Sequence, residues 1–128
     1  MSAITKIMIV DDSKMIIKVI QGFLQQYHIE IVGTASDGRE AIDMFKKTDP
    51  DIVTLDITMP EIDGLTVLEE ILKIKESVKV VVISALSDNA TALKALRMGA
   101  KDFIPKPFKE ENLKAVLDRL IVEENIDA

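Results

Sequence analysis

Five polar residues stand shortly after apolar runs of the chain: Asp11, Asp12, Asp56, Ser84 and Lys106. Carboxylates can bind a metal ion or act as nucleophiles, and a hydroxyl with an ammonium group can hold an anion. The apolar run before Asp56 stops at this carboxylate, and a proline follows shortly after it. A proline cannot donate a strand hydrogen bond and disfavours helix just before itself, so we expect Asp56 at the carboxyl end of a buried strand.

Three carboxylates would converge if the strand before Asp11 and Asp12 lies beside the strand before Asp56. At a separation of about 5 Å each pair repels by roughly 3 kcal/mol at an effective dielectric constant of about 20. A divalent cation would offset this repulsion. Because the ligands are oxygen atoms only, Mg²⁺ or Mn²⁺ is expected rather than zinc.

Ser84 and Lys106, on the far side of the site from these carboxylates, would complete a binding site for a tetrahedral anion. The serine hydroxyl can donate to one anion oxygen, and the lysine ammonium can neutralise another. Phosphoryl transfer needs little beyond positioning and charge neutralisation. A carboxylate nucleophile in this setting would give an aspartyl phosphate, and we predict that Asp56 is that nucleophile.

The elements that must position these residues alternate between short apolar runs and amphipathic segments. The predicted strands are 7–10, 29–34, 51–55, 79–83 and 102–104, each followed by a helical pattern. The first, third and fourth runs are continuously apolar, which is typical of a parallel sheet covered by helices on both faces. A doubly wound α/β sheet of order 2-1-3-4-5 would bring all five polar residues to the edge where such sheets bind ligands.

The composition limits the classes of protein that remain. A chain of 128 residues, 48% hydrophobic and 30% charged, fits one globular domain over residues 1–128 without an effector domain. No cysteine and a single histidine exclude cysteine or histidine-cluster metal sites. The net charge of −6 argues against a nucleic-acid partner. No apolar stretch approaches the roughly 18 residues of a membrane span, so we expect a cytoplasmic protein with no membrane partner.

Four groups of residues follow one another in a fixed order along the chain. They are Asp11-Asp12, Asp56-Ile57-Thr58-Met59-Pro60-Glu61, Ser84-Ala85 and the segment GAKDFIPKPF at 99–108. Each group alone is a weak signal. The ordered set resembles the receiver domain of two-component response regulators, and most of all the stand-alone chemotaxis (CheY-like) members. The resemblance spans the whole chain and implies a flavodoxin-like (βα)5 fold of three layers with sheet order 2-1-3-4-5.

The resemblance also implies roles at the site. Asp56 matches the phosphoacceptor, and Asp12 and Asp56 match the side-chain ligands of Mg²⁺. Asp11 would act on the metal mainly through water, and Thr58 would offer its backbone carbonyl. Lys106 matches the lysine that contacts the phosphoryl group, and its peptide bond to Pro107 would be cis.

Two further residues match those that carry the signal away from the phosphate in this family. The Ser84 hydroxyl would move toward the phosphate, and Phe103 would turn inward after it. The face formed by the fourth helix, fifth strand and fifth helix would then dock a flagellar motor switch or another output protein. Chemotaxis-type members often carry tyrosine where Phe103 stands, which weakens the motor assignment.

The implied phosphodonor is a histidine kinase, with small phosphoryl compounds such as acetyl phosphate as substitutes. We expect a monomer that phosphorylates and dephosphorylates itself rather than a turnover enzyme. Thr58 and Leu86 match the positions that tune phosphoryl lifetime. Neither side chain offers a carboxylate or amide to orient an attacking water, which predicts a fairly long-lived phosphoaspartate.

Other interpretations remain open from the sequence. Within the same family, the protein could be a phosphorelay intermediate or a phosphate sink. In another class, a phosphohydrolase could use an aspartyl-phosphate intermediate, although it would need a second acid and a substrate-capping insertion. A phosphorylation-independent interaction module is a third class, against which the intact Asp12, Asp56, Ser84 and Lys106 argue.

Overall fold

Five strands alternate with five helices in the computed structural model, which describes residues 4–58, 63–85 and 89–127, with side chains to residue 122. The strands are β1 (Thr5–Val10), β2 (Ile29–Ala35), β3 (Ile52–Leu55), β4 (Lys79–Ser84) and β5 (Asp102–Pro105). The helices are α1 (Lys14–Leu24), α2 (Gly38–Thr48), α3 (Gly64–Ile74), α4 (Asn89–Met98) and α5 (Glu110–Asp127).

The strands form one parallel sheet of order β2-β1-β3-β4-β5, which confirms the predicted doubly wound topology. β3 and β4 are buried along their whole length, and β1 is buried except at Lys6. The continuous apolar runs of these three strands therefore do reflect burial on both faces. β3 lies at the centre of the sheet, so the residue that follows it is surrounded by strand ends.

Two apolar layers hold the helices against the sheet. Odd-numbered β3 residues, Val53 and Leu55, pack with α2, α3 and α4. Ile52 packs with α1 and α5 on the opposite face, in a layer that also contains Ile9 and Val81. The alternation follows from the two-residue period of a strand, and it assigns each β3 side chain to one layer.

The ends of two helices fix the local geometry near the strand ends. Ser13 caps α1, because its hydroxyl accepts a hydrogen bond from the Ile16 N–H at 3.3 Å, so Asp12 is not the cap. Gly64 begins α3, and a Cβ there would overlap the Cα of Ile57. Only a glycine lets α3 start this close to the residue after Asp56.

The ends of α1 and α5 differ from those predicted from the sequence. α1 ends at Leu24, whereas the spacing of apolar residues extends the pattern to Tyr27. A polar, frayed tail is expected from the sequence at 123–128, but α5 continues to Asp127. Glutamates are good helix formers and no glycine or proline interrupts them, which explains the longer helix. Across the described ranges, each helix is too short or too polar to cross a membrane.

Candidate active site

The predicted site residues meet at the carboxyl edge of the sheet. Asp11 follows β1, Asp56 follows β3, Ser84 ends β4 and Lys106 follows β5. Asp12 comes one residue after Asp11, before the cap of α1. The carboxyl ends of parallel strands lie at the same edge of the sheet. The topology alone therefore brings these residues from four strands together.

The three carboxylates approach one another closely. Asp11, Asp12 and Asp56 each offer one oxygen, and these oxygens lie within 4.8 Å of one another. Asp11 and Asp56 are each 1% exposed, whereas Asp12 is exposed to solvent. Magnesium binds oxygen at about 2.0–2.1 Å, so two of its ligands stand at most about 4.2 Å apart. The oxygen donors therefore fit a small, hard cation after a modest contraction, with Asp12 on the open side.

Lys106 lies between the two buried carboxylates. Its Nζ is 2.8 Å from Asp11 Oδ2 and 3.4 Å from Asp56 Oδ2. The sequence predicts this lysine on the far side of the site, where it would hold the phosphate. In the structure it offsets the repulsion between the carboxylates directly, which the residue types alone do not indicate.

The pKa values of Asp11 and Lys106 are both raised from their ordinary values. Burial raises the pKa of Asp11, although the Lys106 ammonium and the Ser13 N–H act in the opposite direction. Burial alone would lower the pKa of Lys106, but its contacts with Asp11 and Asp56 outweigh this and leave the pKa raised. The raised pKa of Asp11 shows that desolvation exceeds what one shared lysine supplies.

Thr58 binds the phosphoacceptor candidate through donors that the sequence interpretation missed. Asp56 Oδ1 accepts the Thr58 N–H at 2.9 Å and the Thr58 hydroxyl at 2.6 Å. A hydroxyl residue two positions after an aspartate is a recognisable signal for such local bonds. Oδ1 is therefore fixed by two short bonds, whereas the described residues give Oδ2 the longer contact with Lys106.

Ser84 and Phe103, the two residues predicted to carry the signal, lie on the neighbouring strands β4 and β5. Ser84 is fully buried, and its carbonyl accepts the Lys106 N–H at 2.8 Å. The Lys106–Pro107 peptide bond is cis, the form that the family resemblance implies. Phe103 of β5 is the register partner of Val82 of β4. Its half-buried side chain packs against the apolar layer between the sheet and the helices α2, α3 and α4. Pro60 and Leu86 lie outside the described residues, as do Met59 and Glu61 of the quoted motif.

The face of α4, β5 and α5 carries both apolar and charged groups. On α4, Leu93 and Leu96 are 48% and 42% exposed, and Ala95 is buried. Arg119 of α5 binds Asp102 of β5 at 3.1 Å. α4 therefore leaves two large apolar side chains exposed to solvent.

Comparisons with known proteins agree with this geometry. Residues 7–118 match the family described as response regulator receiver domain. The chemotaxis protein CheY of Thermotoga maritima is 38% identical over 115 residues, which cover 90% of this chain and 96% of that protein. CheY of Treponema pallidum is 42% identical over 117 residues, 90% of this chain and 79% of that protein. In the solved CheX-CheY-BeF3-Mg²⁺ complex of Borrelia burgdorferi, one chain matches with a TM-score of 0.83 and 38% identity, covering 92% of this chain and 87% of that chain.

Proposed function

Since the chain belongs to the response regulator receiver family, we propose that it accepts a phosphoryl group on Asp56 from a histidine kinase in chemotaxis signalling. The observation that carries this proposal is the buried Asp56 carboxylate beside Asp11, Asp12 and Lys106 at the strand edge. A structural ion pair would not need a third, exposed carboxylate. A phosphoryl acceptor with a metal does need one. The comparisons do not favour a phosphohydrolase or a phosphorylation-independent module.

In the proposed reaction an Asp56 oxygen attacks the phosphorus of the donor. The bond between phosphorus and the donor's nitrogen or oxygen breaks, and an acyl phosphate forms on Asp56. Thr58 holds Oδ1 and so orients the carboxylate for the attack. Lys106 already lies at Oδ2, where its charge can follow the incoming phosphoryl oxygens.

The same residues would hold Mg²⁺, or Mn²⁺ in its place. Asp12 and Asp56 would bind it through side-chain oxygens, Asp11 mainly through water, and Thr58 through its backbone carbonyl. When bound, the ion supplies positive charge that neutralises the carboxylates and the phosphoryl oxygens. The Mg²⁺ and BeF3 named for the Borrelia burgdorferi relative support this assignment.

The phosphorylated site would act on a partner through Ser84 and Phe103. The Ser84 hydroxyl would donate to a phosphoryl oxygen, and Phe103 on the adjacent strand would turn inward. The face of α4, β5 and α5 would then bind an output protein, either a flagellar motor switch or another protein of the pathway. That a relative forms a complex with CheX supports protein partners of this kind. We further propose that residues 1–128 act as one monomeric receiver domain in the cytoplasm.

Mass spectrometry after incubation with acetyl phosphate tests the proposal. One added phosphoryl group is expected on the wild-type protein with Mg²⁺, and none after chelation of the metal. Asp56→Asn should remain unmodified, whereas Asp43→Asn, an exposed carboxylate on α2, should be modified like the wild type. Phosphate that remains on Asp56→Asn at the wild-type level would refute the assignment.

A further inference from the structure

One buried hydroxyl near the site has no role in the function proposed above. Thr54, two residues before Asp56, is 1% exposed, and its Oγ1 has no hydrogen-bond partner among the described residues. Leaving a buried hydroxyl unpaired costs about 1–3 kcal/mol, whereas valine has the same shape without this cost. A threonine at this central position therefore calls for an explanation beyond packing.

The neighbours of Thr54 restrict what its hydroxyl can reach. Side chains of β3 alternate between the two faces, so Thr54 shares a face with Ile52 below it and Asp56 above it. Its register partners on either side are Ile9 and Val81, both fully buried aliphatic residues. Beyond the end of β3, the Asp56 carboxylate is the next side-chain acceptor along this face. Two residues of a strand span about 6.6 Å, a gap that a threonine and an aspartate close when they lean together.

The resting site gives Asp56 its donors from elsewhere. Oδ1 accepts both Thr58 bonds, and Oδ2 has the Lys106 contact at 3.4 Å. In the proposed reaction Lys106 follows the incoming phosphoryl group. Oδ2 then loses the one donor that the described residues give it, at the moment when the carboxylate must keep its orientation.

We propose that Thr54 is a positioning residue, whose hydroxyl donates to the Asp56 carboxylate as Lys106 shifts to the phosphoryl group. This inference rests on the proposed function. In the resting state Oδ2 has the Lys106 contact, so the hydroxyl is needed as a donor only when Lys106 shifts during the attack. We also predict that the side chain lowers stability while it raises the rate of phosphorylation.

Thr54→Val and Thr54→Ser separate the hydroxyl from the packing. Phosphorylation is followed with acetyl phosphate and Mg²⁺ over a range of donor concentrations. For Thr54→Val the maximal rate should fall by about three- to tenfold, the value of one hydrogen bond, with an unchanged half-saturating donor concentration. Thr54→Ser keeps the hydroxyl and should retain a rate close to that of the wild type. The thermal midpoint of unphosphorylated Thr54→Val should rise.

Each other outcome overturns the inference. A Thr54→Val protein with the wild-type maximal rate shows that the hydroxyl acts on stability alone. Equal slowing in Thr54→Val and Thr54→Ser assigns the effect to packing, because only one of the two lacks the hydroxyl. A wild-type protein that takes up no phosphate instead refutes the proposed function, so the two failures are distinguishable.

Discussion

Removal of the exposed carboxylate should stabilise the metal-free protein. Asp12 brings an oxygen within 4.8 Å of oxygens of Asp11 and Asp56. At that distance each pair repels by about 3.5 kcal/mol at a dielectric constant of 20, and by about 0.9 kcal/mol in water. Asp12 is exposed, and Lys106 offsets part of the repulsion. We therefore expect Asp12→Asn to raise the free energy of unfolding by about 1–2 kcal/mol.

The corresponding shift is measurable by thermal denaturation. For a domain of this size it amounts to roughly 3–8 °C in the midpoint, measured in the presence of a chelator. Addition of Mg²⁺ should raise the midpoint of the wild type and have much less effect on Asp12→Asn, which has lost a metal ligand. Glu76→Gln, an exposed residue between α3 and β4, removes the same charge at the opposite edge of the sheet.

Comparison with Glu76→Gln distinguishes local repulsion among the carboxylates from an effect of net charge. If Asp12→Asn and Glu76→Gln shift the midpoint equally, the stabilisation reflects net charge alone. An unchanged or lower midpoint of Asp12→Asn in the absence of metal would show that the carboxylates do not repel as their separation requires. An equal Mg²⁺ effect on the wild type and on Asp12→Asn would remove this residue from the metal site.

Three further predictions follow from the same contacts. Lys106→Met leaves two buried carboxylates without their cation. It should lower the free energy of unfolding by about 3 kcal/mol, measured by chemical denaturation. A decrease no larger than that caused by substituting an exposed lysine with methionine would contradict this prediction. Since burial raises the folded-state pKa of Asp11 above 3.8, its protonated form favours folding. The stability difference between Asp11→Asn and the wild type should therefore grow as the pH rises through that folded pKa, and a constant difference would refute the shift. Gly64→Ala should destabilise by about 1–3 kcal/mol because its Cβ would meet the Ile57 backbone. Gly22→Ala should leave the stability unchanged or raise it, because no atom lies within 4 Å of a Cβ at this position. Equal changes in stability for Gly64→Ala and Gly22→Ala would disprove the close approach of Gly64 to Ile57.

The sequence predicted the topology because burial and turn chemistry are local properties. Uninterrupted apolar runs identified β1, β3 and β4 as buried strands, and parallel order then followed from the alternation with helices. Helix ends were less well predicted. Asp12 and Ser13 were equally good caps on residue type, and only the Ser13 bond to Ile16 distinguishes them.

The site was predictable in its members but not in its contacts. The strand ends indicated which residues would converge, since that depends on topology alone. The position of Lys106 between Asp11 and Asp56 depends on distances of a few ångströms, which residue types do not encode. The unpaired hydroxyl of Thr54 gave no sequence signal either, because threonine is common in strands.

Identification of the phosphorylated residue tests the central claim most directly. Borohydride reduces an acyl phosphate of aspartate to homoserine, and peptide mass spectrometry then locates the reduced residue. After incubation with acetyl phosphate and Mg²⁺, the account predicts homoserine at position 56 alone. Homoserine at position 11 or 12, or a phosphate that resists reduction on Ser84 or Thr58, would contradict the assignment of Asp56 as the phosphoacceptor.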